Sequence, residues 1–400
     1  MRILGACSLG GAGHLRPLAP FLAAAQRRGD DLRVIGPFAL REMVEAEGFT
    51  FVPGGEPPES EVAPIREQLA VAPPHEASVL GNRELFGRLA ADAMLPAVDR
   101  IVSEWQPDLV LREPAEFASA VVAHRRSVPV AQVAISLAEV EAGSLSVAAP
   151  ALDRHGAGVT DALRAEPYLT RFPSALDPSP FATTIRYHDA DDGAPGTPPD
   201  WPADWWPSDH GPLIYVTFGT VLGFMSIAAD VFKVALAAVA PLDARVLVTV
   251  GRTLDIGALG AVPDHVHVEP WVDQADVLAV VDLVVCHGGS GTVYGALAAG
   301  VPLVVVPVFA DQFENARRVV ASGAGLVVEQ QPVEPGGARI PIGAGAVPRI
   351  RHAIGQVLSD PAFRTRARGI AAEMAATPTV TEALEQVGGQ AARPTDRPGP

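Results

Sequence analysis

Two cysteines in 400 residues leave no material for a disulfide framework. Cys7 and Cys286 each close an apolar run, in different halves of the chain. Two buried thiols are therefore expected rather than a bridge. The Cys/His spacing of a zinc site is also missing. Positive charge is scarce: 30 Lys and Arg stand against 46 Asp and Glu, a formal net charge of −16, and Lys233 is the single lysine. Such a chain is ill suited to a phosphate backbone or an anionic lipid face. Long apolar runs are absent. The run at 301–310 is too short to span a bilayer and carries Pro302 and Pro307. The apolar start at 3–9 runs straight into glycines and does not read as a signal peptide. A soluble, cytoplasmic protein is expected. No internal repeat is visible. What is present is apolar residues, at 48% against 19% charged, which suits two well-buried domains.

Short apolar runs alternate with longer amphipathic ones. Strands are expected at 2–8, 32–35 and 49–52, with helices at 15–28 and 40–47 ending at Gly29 and Gly48. This β-α-β-α-β order implies a parallel sheet covered on both faces. Residues 53–82, rich in Pro, Glu and Gly, are expected to form a mobile loop. A helix at 84–105, strands at 108–111 and 128–135, and a helix at 116–126 follow. At 187–212 the composition turns to Pro, Gly and Asp and reads as an interdomain linker. Strands resume at 213–218, 245–250, 265–268, 283–286 and 303–306. Helices are expected at 226–240, 290–299, 312–322, 347–359, 361–375 and 379–386, and the tail from 391 reads as disordered. The expected domains are 1–186 and 213–375, with 376–400 supplying a helix that returns to the first. The fold class is α/β: two doubly wound, Rossmann-like parallel-sheet domains facing across a cleft. Ligands of such folds bind beyond the carboxyl ends of the strands.

One loop carries the strongest signal. Cys286-His287-Gly288-Gly289-Ser290-Gly291-Thr292 follows an apolar strand and opens an apolar helix. Glycines let backbone N–H groups approach an anion, the helix start adds partial positive charge, and Ser290, Thr292 and His287 add donors. A diphosphate cradle results. The plainer reading is a glycine turn capped by Ser290.

HGGSGT followed by Val306-Pro307-Val308-Phe309-Ala310-Asp311-Gln312 resembles the donor-binding signature of GT-B family 1 glycosyltransferases, above all the bacterial enzymes that decorate antibiotics and other natural products. The resemblance implies that His287, Gly289, Ser290, Gly291 and Thr292 hold a donor diphosphate, and that Asp311 and Gln312 bind donor-sugar hydroxyls. Phe218-Gly219-Thr220 resembles the family's loop near the phosphates. Trp271-Val272-Asp273-Gln274 resembles its nucleobase-stacking segment, with Asp273 where Pro is usual. Plant relatives carry a ribose-binding Glu eight residues after the motif His. Gly295 stands there instead, which favours dTDP- over UDP-sugars.

In the first half, Gly10-Gly11-Ala12-Gly13-His14 resembles the family's loop ending in its catalytic His. A neutral imidazole suits removal of an acceptor proton. Glu113, just beyond a strand, is the expected partner that orients His14, with Glu116 the rival. The family implies one in-line displacement that inverts the anomeric centre, with a small acceptor and neither cofactor nor metal. Asp189-Ala190-Asp191 has the form of a metal-binding pair, but it lies in the linker and reads as a solvated turn. Gly11-Ala12-Gly13 lacks the third glycine of a dinucleotide fold. A sugar-nucleotide epimerase and a non-catalytic sugar-nucleotide-binding protein are the alternatives. The acceptor has no readable code, and self-association into a homodimer is left open.

Overall fold

The computed structural model describes residues 1–8, 11–189, 211–222, 227–329 and 342–391. The described residues divide into two compact units, those within Met1–Asp189 and Thr377–Pro400 and those within Ala190–Ala376.

The first unit carries strands β1 Arg2–Ala6, β2 Asp31–Gly36, β3 Thr50–Pro53, β4 Leu109–Arg112, β5 Val130–Val133, β6 Tyr168–Thr170 and β7 Thr184–Arg186. They form one sheet in the order β3-β2-β1-β4-β5-β6-β7, parallel throughout. Alternate residues of β1 feed opposite faces: Ile3 packs with Phe21, Leu111 and Val133, and Leu4 packs with Ile35, Val98 and Val110. Both faces are dry, which explains the unbroken apolar strands.

The second unit carries β8 Leu213–Thr217, β9 Arg245–Thr249, β10 Val266–Glu269, β11 Leu283–Cys286, β12 Leu303–Val305 and β13 Gly325–Val327. Their order is β10-β9-β8-β11-β12-β13, again parallel. The architecture is α/β with two Rossmann-like sheets. The three-residue strands β6, β7 and β13 carry no periodicity and were not legible in the sequence.

Four expectations need correction. The helix expected at 15–28 is two, Ala12–Leu15 and Ala19–Arg27. Pro17 biases the residue before it away from the helical region, and the second helix restarts with Pro in its first turn. Residues 53–82 are largely helical instead of forming a mobile loop. Glu59–Val71 and Pro74–Leu80 are α-helices, followed by a wide π-type helix, Gly81–Ala90. Two of their prolines mark helix starts, Pro58 directly before one helix and Pro74 opening the next, where no N–H is missed, whereas Pro64 lies inside the first of these helices. The helix expected at 84–105 therefore changes character at Ala91, where α-helix Ala91–Trp105 begins. Tyr187, assigned by composition to the linker, is fully buried in the first unit with its ring edge-on to Phe21. Most of that linker, and the expected disordered tail after residue 391, lie outside the described residues.

Helix Val380–Ala391 belongs to the first unit, where Val380, Ala383, Leu384 and Val387 join the core containing Ile3 and Phe21. His188 ties it down: its N–H donates to the Pro378 carbonyl at 2.9 Å, and its carbonyl accepts from the Val380 N–H at 3.1 Å. Cys7 and Cys286 are buried and free. Among the described residues no helix is long and apolar enough to cross a membrane.

Candidate active site

Each sheet reverses its winding once. In the first unit the reversal falls between β1 and β4, which are neighbours in space although β2 and β3 intervene in sequence. Ala6 pairs with Arg112, so the loops leaving β1 and β4 emerge side by side. That pairing brings His14 to Glu113.

The His14 Nδ1 lies 3.2 Å from Glu113 Oε1, within ion-pair range but not aligned as a hydrogen bond. Glu113 is fully buried and firmly held. Ser8 donates to Oε1 through its backbone N–H at 3.0 Å and through its hydroxyl, and the Ala115 N–H donates to Oε2 at 2.7 Å. Burial pushes its carboxyl upward, but His14 and Ser8 outweigh burial and hold it below the ordinary value. Burial pulls the His14 imidazole down, and the Glu113 charge more than reverses this, leaving it above its ordinary value. Glu116 is turned elsewhere. It accepts from the Ser119 N–H at 3.1 Å and from the Ser119 hydroxyl, capping helix Ala118–Arg126. Burial raises its carboxyl to about 7.

Arg112 was missed as a structural residue. Its buried guanidinium donates to the carbonyls of Glu113, Pro114 and Glu116 and is paired with Glu166 at 2.6 Å. It shapes the loop that presents Glu113. Phe86, on the π-type helix, stacks beside His14 with ring centroids 6.1 Å apart. Neither residue carries a sequence pattern that names its role.

The second unit repeats the arrangement. β8 and β11 are neighbours at its reversal, with Thr217 paired to Cys286. Gly219 and His287 therefore meet. A Cβ on Gly219 would stand 2.9 Å from His287 Nε2, and one on Gly289 only 2.5 Å from it. The imidazole thus lies in a slot walled by two glycines, and Gly219 also has φ +72°. Burial drives the His287 pKa down to about 4, against the opposing pull of Asp311 and the Thr217 backbone. The ring is neutral at pH 7. Helix Ser290–Ala298 starts beside it with no side-chain cap, and Gly291 faces open space. Thr220 is exposed, whereas Thr292 is buried with its hydroxyl 3.3 Å from the Gln274 amide nitrogen.

Asp311 accepts from the Ser290 hydroxyl at 2.8 Å. Gln312 is buried, and its oxygen accepts from the N–H groups of Val308 and Phe309 at 2.8 and 2.9 Å, which leaves the amide end as its donor. Ala310 has φ +56°, a conformation that costs a non-glycine residue about 1 kcal/mol. Trp271 is 39% exposed with the Arg252 guanidinium 4.9 Å from its ring, and Val272 follows half-buried. Asp273 has a local reason to replace Pro: it caps helix Gln274–Leu278 by accepting from the Ala275 N–H at 3.0 Å. Of the Asp-x-Asp string only Asp189 is described, 3.5 Å from Arg171.

Two Rossmann-like sheets, one with a carboxylate-backed imidazole at its switch point and the other with a glycine-walled imidazole beside an uncapped helix start, are the architecture of the GT-B class of glycosyltransferase. Comparison with known proteins agrees. Residues 233–388 match the C-terminal domain, and residues 23–186 the N-terminal domain, of the erythromycin biosynthesis protein CIII-like family. The L-demethylnoviosyl transferase of Streptomyces niveus is 31% identical over 386 residues, covering 95% of both chains. The glycosyltransferase SnogD of Streptomyces nogalater superposes with a TM-score of 0.72 at 25% identity, over 98% of this chain and 99% of its own. The glycosyltransferase SsfS6 of Streptomyces sp. SF2575, solved with thymidine diphosphate, gives 0.73 at 23% identity, over 97% and 99%. The chain belongs to the erythromycin CIII-like family of antibiotic glycosyltransferases. It is a transferase, which sets aside the epimerase and binding-only alternatives.

Proposed function

We propose that this glycosyltransferase moves a deoxysugar from a dTDP-sugar, in preference to a UDP-sugar, onto a hydroxyl of a small natural-product acceptor in the cytoplasm. The observation that carries the mechanism is the 3.2 Å approach of His14 Nδ1 to a fully buried, firmly held Glu113. With Nδ1 engaged there, Nε2 is the basic nitrogen. It takes the acceptor hydroxyl proton while the acceptor oxygen bonds to the anomeric carbon. The bond from that carbon to the diphosphate breaks, and its electron pair leaves with the diphosphate. Attack opposite the leaving group inverts the centre. Glu113 stabilises the imidazolium that forms.

The leaving diphosphate is met by the uncapped start of helix Ser290–Ala298, by Gly219, Gly289, Gly291 and Thr220 at close approach, and by the neutral His287 as a donor. This reading requires no divalent ion. Trp271 offers its exposed ring to the base, and Asp311 and Gln312 meet the sugar. The dTDP preference is supported by Gly295. It carries no carboxylate for the ribose hydroxyls, and a Cβ there would stand 3.0 Å from a Leu278 methyl.

Calorimetric titration with dTDP and UDP in EDTA tests the donor assignment. Tighter binding of dTDP, weakened at least tenfold by Trp271→Ala and by His287→Ala, is expected. Folded protein that binds neither nucleotide would overturn it.

A further inference from the structure

Asn315 stands one turn beyond Asp311 in helix Gln312–Ser322 and is 1% exposed. Its side-chain nitrogen lies 2.8 Å from the Gly288 carbonyl, 3.0 Å from Ser290 Oγ and 3.0 Å from Asp311 Oδ2. The carbonyl and the carboxylate only accept, so the nitrogen end of the amide must face them. Ser290 Oγ itself donates to Asp311 Oδ2 at 2.8 Å. Three side chains thus close a triangle between the loop after β11 and the turn before helix Gln312–Ser322. Its backbone corners are special. Gly288 has φ +90°, and a Cβ there would stand 2.7 Å from a Val305 methyl. Ala310 enters Asp311 through its own left-handed turn.

We propose that Asn315 is a positioning residue for the donor, with one amide setting both the hydroxyl that meets the diphosphate and the carboxylate that meets the sugar. The inference rests on the donor reading above. Two N–H groups of Asn315 serve three acceptors, so the one facing Ser290 Oγ and Asp311 Oδ2 is shared between them, while the Ser290 hydroxyl proton points to Asp311 and can rotate about its own bond. On donor binding it swings from Asp311 to a phosphate oxygen. Asp311 keeps a hydrogen-bond donor in Asn315 while this happens. Without the amide, the proton stays on Asp311 or the carboxylate faces the diphosphate with less compensation.

Calorimetry with dTDP at pH 7.5 tests this. Asn315→Ala should weaken dTDP about tenfold in the wild-type background and less than threefold in a Ser290→Ala background, because the amide acts through that hydroxyl. Asn315→Asp is isosteric and guards against a fold defect in the alanine variant. It should weaken dTDP more than Asn315→Ala at pH 7.5. Its deficit relative to wild type should narrow at pH 5.5, where the introduced carboxyl gains a proton to donate. An equal loss in both backgrounds, an unchanged affinity in Asn315→Ala, or a deficit indifferent to pH would each overturn the proposal. Wild-type protein that binds no dTDP overturns the donor reading itself, and that result is seen before any variant is made.

Discussion

Two opposing forces act on His14: burial favours its neutral form and Glu113 favours its charged form, and Glu113 prevails. A general base must be neutral before it accepts a proton, so activity should rise with pH through a His14 pKa above the ordinary value. Glu113→Gln removes the opposing charge and leaves burial to act alone. The acid limb of the pH–rate profile should then move to lower pH, while kcat falls about a hundredfold as orientation and imidazolium stabilisation are lost. Glu116→Gln should leave the limb in place, because that carboxyl serves Ser119. Equal effects of the two substitutions would remove Glu113 from its role. The sequence placed both glutamates within one short loop and favoured Glu113 because it directly follows a strand. Glu113 is the first residue past β4, beside β1, whereas Glu116 comes three residues later and faces the next helix. Asn315 was legible in principle, since a spacing of four from Asp311 puts both on one helix face. Ser8 was not, because a serine at a strand end commits to nothing by itself.

At the level of the element, the loops after strands matter more than the strands. Gly219 and Gly289 approach His287 so closely that a methyl on either would displace the ring. Gly219→Ala and Gly289→Ala should each weaken dTDP binding at least tenfold, about 1.4 kcal/mol, with little loss of secondary structure by circular dichroism. Gly355→Ala, at an exposed position of helix Val347–Ser359, is the control, since its Cβ meets nothing within 4 Å. Equal losses at all three positions would show a general intolerance of glycine substitution rather than a slot for His287. Long amphipathic helices and apolar strands were readable because their periodicity repeats over several turns or pairs. Residues 53–82 were not. Their prolines read as loop signals, although the same residue opens helices when it falls in the first turn. The wide helix Gly81–Ala90 depends on Gly87, where a Cβ would stand 2.9 Å from the Ala148 methyl. That close approach to helix Ala138–Leu152 is a tertiary fact.

For the whole molecule, the chain leaves the first unit after Asp189 and returns to it at Thr377. Helix Val380–Ala391 completes the core around β1 although the whole second unit separates the two along the chain. Truncation after Ala376 should therefore destabilise the first unit, exposing Ile3, Phe21 and Tyr187, and leave the second largely intact. Hydrogen exchange read separately over residues 1–189 and 211–376 checks this. Uniform loosening of both, or of the second alone, would contradict it. Each sheet brings two distant loops together, His14 beside Glu113 in the first unit and His287 between Gly219 and Gly289 in the second.

The sequence by itself determined the class. Alternating apolar runs demand parallel sheets covered on both faces, and the glycine-rich string at 287–292 belongs at a strand-to-helix turn wherever that turn lies. Composition also excluded a disulfide scaffold and the long apolar span of a membrane helix. The tertiary structure decided which residues meet. Strand order placed the loop after β1 beside the loop after β4, and the loop after β8 beside the loop after β11. Such pairings join positions about 70 to 100 residues apart, and neither propensity nor periodicity extends so far along a chain.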